Sequence, residues 1–98
     1  MQIDVYATRD CFYCYQMKEL LKRAELEYNL IHVMKEGVTS NNKGELYMSK
    51  EEFKHVYPHT RGFPYVIIDG EEIGGLQNTA KYLVDKGYGK RLREHPNL

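Results

Sequence analysis

The sequence predicts an α/β fold in the order β-α-β-α-β-β-α, in which a mixed four-stranded sheet is flanked by three helices. Two observations lead to this prediction. Short runs of β-branched and aromatic residues alternate with segments of helical periodicity, which is typical of strand–helix–strand units. The pair Asp69-Gly70 is a two-residue turn signal between two later runs, so the last two strands form a hairpin. With a length of 98 residues, positions 1–98 are expected to form a single domain.

The N-terminal third predicts a parallel strand–helix–strand unit. Ile3 and Val5 belong to the first strand, and residues 28–33 form the second. Asp10 is expected to cap the intervening helix, which runs from residue 11 or 12 to Ala24. Apolar residues recur on one face of that helix: Met17, Leu20, Leu21 and Ala24. A strand–helix–strand order implies a right-handed crossover, so the two strands are expected to be parallel.

The middle of the chain predicts a long polar loop followed by a short helix. Gly, Asn and Ser dominate residues 35–49, which indicates a loop that is long for so small a domain. Ser49 and Glu52 then form a capping box, which opens a helix. This helix is expected to end near Tyr57 because Pro58 follows it.

The C-terminal part predicts the hairpin, a third helix and a tail. Residues 65–68 form a β-branched strand, and residues 71–73 return as its partner. A helix starts near Asn78 and ends at Gly87. Its inward-facing residues are expected to be Ala80, Leu83 and Val84. Residues 88–98 form a polar, basic C-terminal tail with at most one further helical turn.

The charge balance excludes several classes of function. Lys and Arg number fourteen, as do Asp and Glu, so bulk charge indicates neither nucleic acid nor an anionic membrane as partner. The N-terminus has no basic region followed by a long apolar run, so we expect no signal peptide and no membrane span. These features favour a cytoplasmic location, where thiols are kept reduced.

Cys11 and Cys14 are the only cysteines, and they form a C-x-x-C pair at the expected start of the first helix. In a reducing compartment such a pair favours catalysis or metal binding over a structural staple. The free amides and positive end of a helix N-terminus stabilise a thiolate. Cys11 is therefore the predicted nucleophile, and Cys14, one turn further, the predicted resolving thiol. Arg9 and Lys18 add positive potential, whereas Asp10 opposes it.

A zinc site is the rival interpretation of the cysteine pair. Cys11, Cys14, His55 and His59 can be written as a Cys2His2 set. However, the two halves lie much further apart than zinc-finger ligands do, and Pro58 interrupts the histidine pair. We therefore expect no metal. The position of the pair at a helix start also argues against cysteines that merely pack in the core.

Three separate motifs occur in order along the chain. They are Tyr6 with Cys11-Phe12-Tyr13-Cys14 and Lys18, then Arg61-Gly62-Phe63-Pro64, then Gly74-Gly75. Together they resemble the glutaredoxins, a family of the thioredoxin superfamily, over about residues 2–86. The resemblance implies the thioredoxin fold and a thiol–disulfide oxidoreductase that uses glutathione as its reductant.

The resemblance also implies where glutathione binds. Pro64 is expected to be cis and to face the cysteine pair, while the backbone of Phe63 pairs with the cysteinyl backbone of glutathione. Arg61 is expected to bind the glycine carboxylate. The helix N-terminus after Gly75 is expected to bind the γ-glutamyl carboxylate. The remaining expected contacts are Arg9, Tyr13, Leu76, Gln77 and Asn78.

Two departures from the family pattern matter. Phe12 replaces the usual spacer proline, so the first helical turn loses its preorganisation and the redox potential is affected. Asn78 stands where the family usually has Asp, which weakens the contact to the γ-glutamyl ammonium. The non-proline spacer and the polar loop most resemble the small phage-type glutaredoxins, also called phage thioredoxins because they reduce ribonucleotide reductase.

The expected partners are thus glutathione and disulfide-containing proteins, with ribonucleotide reductase as a candidate. The protein is expected to be a monomer in the cytoplasm, which is the cytoplasm of the host if the protein comes from a phage. Two alternatives stay open. One is an iron–sulfur cluster carrier with glutathione as co-ligand, because some glutaredoxins with altered spacers bind a two-iron cluster between subunits. The other is a non-enzymatic thioredoxin-fold subunit, against which the intact Cys11, Cys14 and Arg61 argue.

Overall fold

The structure is a computed structural model that describes residues 1–34 and 46–93. The helices and strands follow the predicted order, with one additional strand and one additional helix. They are β1 (Ile3–Ala7), α1 (Phe12–Arg23), β2 (Asn29–Met34), β3 (Leu46–Ser49), α2 (Lys50–Val56), β4 (Tyr65–Ile68), β5 (Glu71–Gly74), α3 (Leu76–Leu83) and, after a kinked segment Val84–Tyr88, α4 (Gly89–Arg93).

The five described strands form one mixed sheet in the order β3-β2-β1-β4-β5. β1 pairs in parallel with β2 and antiparallel with β4, and β4 and β5 form the predicted hairpin. The prediction of four strands is wrong, because β3 lies at the end of the segment expected to be a loop and pairs in parallel with β2. The rest of that segment, residues 35–45, lies outside the described residues.

Sequence alone did not reveal β3, because its four residues, Leu46-Tyr47-Met48-Ser49, do not alternate between apolar and polar types. In the structure they likewise do not alternate between buried and exposed positions. Leu46 is 48 % exposed, and the other three are partly buried. The edge of β2 supplies the hydrogen-bonding partners for this strand, so the strand forms through a tertiary contact. Ser49 ends it and caps α2 by accepting a hydrogen bond from the Glu52 amide at 3.0 Å, as predicted.

The sheet separates two apolar layers, because β1 and β4 alternate the faces to which they point side chains. On one face α1 and α3 cover the sheet, with Met17, Leu21 and Leu83 fully buried. On the other face, Phe53 of α2 is 1 % exposed. The sheet residues that surround Phe53 are Tyr6, Ile31, Val33 and Ile67.

The C-terminal helices differ in detail from the prediction. α3 begins at Leu76, two residues before the expected start, and buries Thr79 and Leu83. Val84 is 51 % exposed, so its prediction as a core residue is wrong. The reason is angular: the buried face runs through Thr79 and Leu83 at i and i+4, and the next residue points about 100° away from it.

The helical turn expected after residue 88 is present as α4, and it packs against the core. Tyr88 and Leu92 contact the layer formed with α1. Arg91 donates a hydrogen bond of 2.9 Å to the carbonyl of Ala24, at the end of α1, and lies 3.6 Å from the Glu25 carboxylate. A cation at a helix C-terminus is favourable, so this pair helps to seat α4. Residues 94–98 of the expected tail lie outside the described residues.

Within residues 1–34 and 46–93, no helix has both the length and the apolar character that crossing a membrane requires.

Phe53 is the side chain on which the α2 layer depends, so we predict that Phe53→Ala lowers the free energy of unfolding by about 3–5 kcal/mol. Truncation leaves a cavity among Tyr6, Phe63 and Tyr65, whose rings lie within 6.0 Å of the Phe53 ring. Denaturant unfolding followed by circular dichroism measures the change. Val56→Ala on the same helix, at a position 49 % exposed, is the control and should change it by less than about 0.5 kcal/mol. Equal losses for both variants would contradict the prediction.

Candidate active site

Cys11 is the N-cap residue of α1, and its sulfur faces the first turn of the helix. Its backbone is extended (φ −109°, ψ 108°), and its Sγ accepts a hydrogen bond of 3.1 Å from the amide of Cys14. Asp10 was the expected cap, and that prediction is wrong: it adopts φ 53°, a left-handed turn that precedes the helix. The sulfur therefore occupies the position in which a capping oxygen usually lies.

The two cysteines form a disulfide, with their α-carbons 5.2 Å apart. Cys14 is 3 % exposed and lies in the first turn, whereas Cys11 is partly exposed at the end of the helix. The exposure of the two cysteines is as expected from the sequence, and the role of Cys11 as nucleophile stays a prediction. Phe12 and Tyr13, between them, are 68 % and 61 % exposed, and their rings meet edge to face.

The segment before β4 lies opposite the cysteine pair. The Phe63–Pro64 peptide bond is cis, as expected, and Pro64 is buried. The carbonyl oxygen of Phe63 lies 3.7 Å from the Sγ of Cys11. Behind it, the Phe63 ring packs on Phe53 with a centroid distance of 5.0 Å, so α2 supports this segment from below.

A cavity of about 560 Å³ opens next to this segment and gathers most of the predicted ligand-binding residues. Four further residues line it that the sequence analysis did not assign to the glutathione site: His59, Gly62, Tyr65 and Gly74. Arg9 is exposed and lies outside this lining. The predicted residues that line it are Tyr13, Arg61, Phe63, Pro64, Gly75, Leu76, Gln77 and Asn78.

The N-terminus of α3 forms one wall of the cavity. Gly75 is the N-cap and provides no side-chain acceptor for the first-turn amides. The amides of the following residues therefore have no partner within the helix, and Leu76, Gln77 and Asn78 line the cavity. Thr79 anchors the turn, because its hydroxyl donates a hydrogen bond of 2.9 Å to the Gly75 carbonyl. The arrangement can accept an anion at the positive end of the helix.

Gly74 allows the Asn78 side chain to approach the end of β5. Its φ of 112° is a conformation that residues with a side chain rarely adopt, and a Cβ there would lie 2.8 Å from Asn78 Nδ2. The Gly74-Gly75 pair, visible in the sequence, thus has two uses. Gly74 makes room for Asn78, and Gly75 leaves the helix start uncapped.

Tyr65 closes the wall next to β5, where its hydroxyl donates a hydrogen bond to the Glu72 carboxylate. Burial, together with that carboxylate, raises the pKa of Tyr65 to about 12. Burial and the neighbouring Tyr57 hydroxyl likewise raise the pKa of Tyr6. Alternation along β4 could have identified Tyr65, since it points away from the face on which Val66 is buried.

His59, which the sequence analysis considered only as a possible zinc ligand, is exposed and lines the cavity. It lies two residues before Arg61 in the loop that leads to β4, and this proximity was the signal available in the sequence. In the part of the chain that the structure describes, no three His, Cys, Asp or Glu side chains are grouped so that they could hold a metal ion.

Comparison with known proteins relates this site to one family. The glutaredoxin family model matches residues 3–73. The fold is similar to that of glutaredoxin 1 from Francisella tularensis, solved with cacodylate, at 18 % identity over 87 % of this chain and 93 % of that one, with a TM-score of 0.59. No curated protein matches the chain in sequence.

Two structures of Escherichia coli glutaredoxin are equally similar in fold. The structure of the reduced form has 23 % identity and covers 87 % of this chain and 95 % of its own. The second structure has 19 % identity and covers 89 % of this chain and 98 % of its own. Both have a TM-score of 0.59. At these identities the structures establish the fold, which is the predicted thioredoxin fold with a fifth strand.

The raised pKa of Tyr65 predicts how the stability of the protein changes at alkaline pH. Below pH 10 its phenol is protonated in both states and stabilises the folded protein fully. Between pH 10 and about 12 the unfolded chain loses this proton while the folded protein keeps it, so the free energy of unfolding falls as pH rises. We expect Tyr65→Phe to reduce this fall, as measured by urea unfolding from pH 9 to 12.

The matched control is Tyr15→Phe, which removes a hydroxyl from a side chain that is 55 % exposed. It should leave the slope of stability against pH at the wild-type value. If Tyr65→Phe also kept that slope, the folded protein would not hold the Tyr65 proton above pH 10.

Proposed function

Because the chain belongs to the glutaredoxin family and is a thiol–disulfide oxidoreductase, we propose that it reduces protein disulfides and glutathione mixed disulfides with glutathione as the reductant. One observation carries the proposal. The accessible sulfur of the cysteine pair, that of Cys11, lies 3.7 Å from the Phe63 carbonyl, and Phe63 also lines the cavity. A small thiol held in the cavity therefore lies next to the sulfur with which it must react.

The reaction proceeds by two successive thiol–disulfide exchanges. The Cys11 thiolate attacks one sulfur of a substrate disulfide, forms a mixed disulfide and releases the other sulfur as a thiolate. Cys14 then attacks the Cys11 sulfur and releases the reduced substrate. Two electrons pass to the substrate, and the protein is left with the Cys11–Cys14 disulfide that the structure contains.

Glutathione returns the protein to the dithiol form in this proposal. One glutathione thiolate attacks Cys11, which frees the Cys14 thiolate, and a second glutathione attacks the mixed disulfide to give glutathione disulfide. The hydrogen bond from the Cys14 amide to Cys11 Sγ supports the thiolate that leaves in the second step.

The cavity has the features that the two carboxylates of glutathione require. Arg61 would bind the glycine carboxylate, and the uncapped start of α3 at Leu76 and Gln77 would bind the γ-glutamyl carboxylate. The backbone of Phe63 would pair with the cysteinyl residue, with Tyr13 beside it. A contact between Arg9 and glutathione is proposed only because Arg9 lies two residues before Cys11 in the sequence.

Polypeptide substrates are proposed because Phe12 and Tyr13 expose their rings around Cys11, where residues that flank a substrate disulfide would pack. Ribonucleotide reductase is the candidate substrate, through the likeness of the Phe12 spacer to phage-type glutaredoxins. We propose a monomer that acts in the cytoplasm. The alternative function as an iron–sulfur carrier stays a prediction, which nothing in the described residues tests.

Cys11→Ser should abolish turnover of the mixed disulfide of 2-mercaptoethanol and glutathione, which forms when glutathione reacts with β-hydroxyethyl disulfide, because no nucleophile remains at the accessible position. Cys14→Ser should keep this activity, which needs one thiol, and should lose the reduction of protein disulfides, which needs the resolving thiol. Consumption of NADPH in an assay coupled to glutathione reductase measures the first activity. Inactive wild-type protein, or an active Cys11→Ser variant, would refute the proposed function.

Arg61→Gln should raise the KM for glutathione about fivefold and leave kcat nearly unchanged, because an exposed charged contact to a carboxylate contributes about 1 kcal/mol to binding. Lys54→Gln is the control: it also removes an exposed cation, but from α2 and outside the cavity lining. The same assay at varied glutathione concentration gives both constants. A KM unaffected by Arg61→Gln would show that the glycine carboxylate binds elsewhere.

A further inference from the structure

The cavity next to the Cys11 disulfide has positive but no negative charge in the residues that the structure describes. Arg61 contributes a guanidinium, and its five N–H groups are all donors. The start of α3 adds the positive end of a helix dipole. None of the described lining residues is Asp or Glu.

The acidic residue joined to the lining by a hydrogen bond is already engaged. Glu72 lies on β5 outside the lining, and its carboxylate accepts the hydrogen bond of the Tyr65 hydroxyl. In the first turn of α3, Asn78 offers a neutral carboxamide whose nitrogen lies against Gly74. The α3 wall thus offers an anion several partners and offers a cation no opposite charge.

This imbalance matters for a ligand that ends in an amino acid group. Its ammonium is attached to the carbon next to its carboxylate, so binding of the carboxylate at the start of α3 brings the ammonium to the same positive helix end. A cation at that end is unfavourable unless a nearby carboxylate compensates for it. The described residues that line the cavity around Leu76 and Asn78 include no such carboxylate. Glu71, Glu72 and Asp85 line a separate pocket that also touches Asn78, and none of them lines this cavity.

We propose that this cavity recognises a thiol by two carboxylates and does not recognise its amino group, so that its substrates include dicarboxylate thiols without a free α-amino group. The proposal rests on the proposed function, since it concerns the same cavity and the same exchange at Cys11. In that exchange the thiolate of the ligand forms a bond to Cys11 Sγ, and the Cys11–Cys14 bond breaks. The Cys14 sulfur takes the electron pair and then a proton.

The test compares four thiols as reductants of the oxidised protein. They are glutathione, glutaryl-cysteinyl-glycine (the same molecule without its amino group), γ-glutamyl-cysteamine, which lacks the glycine carboxylate, and 2-mercaptoethanol, which has neither carboxylate. The second-order rate constant for opening the Cys11–Cys14 disulfide is measured by alkylation and mass spectrometry, so no coupling enzyme is needed. Each constant is divided by that of the same thiol with free β-hydroxyethyl disulfide, which removes differences in intrinsic reactivity.

We expect the amino-free thiol to react at least as fast as glutathione, within about twofold, and γ-glutamyl-cysteamine to react about fivefold more slowly. The inference would be overturned if the normalised rate constant of glutathione were more than about twofold above that of the amino-free thiol. The proposed function would then stay intact. If neither dicarboxylate thiol exceeded 2-mercaptoethanol, the proposed function and the inference would both fail.

Asn78→Asp provides a gain-of-recognition test. A carboxylate there should raise the ratio of the glutathione constant to that of the amino-free thiol about threefold, because it pairs with the ammonium that has no acidic partner in the wild-type wall. Asn78→Ala, the neutral control, should leave the ratio at the wild-type value. A ratio that does not rise in Asn78→Asp would also overturn the inference, since the ammonium would then lie away from the start of α3.

Discussion

The antiparallel pairing of β1 with β4 is the constraint on which the site depends. Because the strands run in opposite directions, the end of β1 lies beside the start of β4, with Tyr6 opposite Tyr65. The chain that leaves β1 carries Cys11, and the chain that enters β4 carries Phe63. The register of the two strands therefore brings Cys11 Sγ to 3.7 Å from the Phe63 carbonyl across 52 residues of sequence.

The site is also defined by the ends of two helices. α1 begins after Cys11, whose sulfur accepts a hydrogen bond from the Cys14 amide. α3 begins after Gly75, and the residues of its first turn line the cavity. Both helices pack on the same face of the sheet, through Met17, Leu21 and Leu83. Burial of that face fixes the position of both helix ends, and each end provides local positive potential at no cost in side-chain entropy.

Sequence reasoning succeeded where local chemistry decides the conformation. The Ser49 cap of α2 and the turn at Asp69-Gly70 appear as predicted, because their hydrogen bonds involve near neighbours. It missed β3, which forms on the edge of another strand, β2. Two local details were also wrong: Val84 lies off the buried face of α3, and Cys11 rather than Asp10 is the N-cap of α1. Residues 35–45 lie outside this comparison.

The sequence by itself determined the order of strands and helices apart from β3, the cysteine pair and the resemblance to glutaredoxins, since these depend on periodicity and on short motifs. Only the tertiary structure decided that Tyr65 and His59 share a cavity with Arg61 and the start of α3. Only the structure, too, decided that Glu72 binds Tyr65 rather than lining this cavity. The physical reason is that charge balance in a cavity depends on which distant side chains pack together, and strand pairing sets that packing.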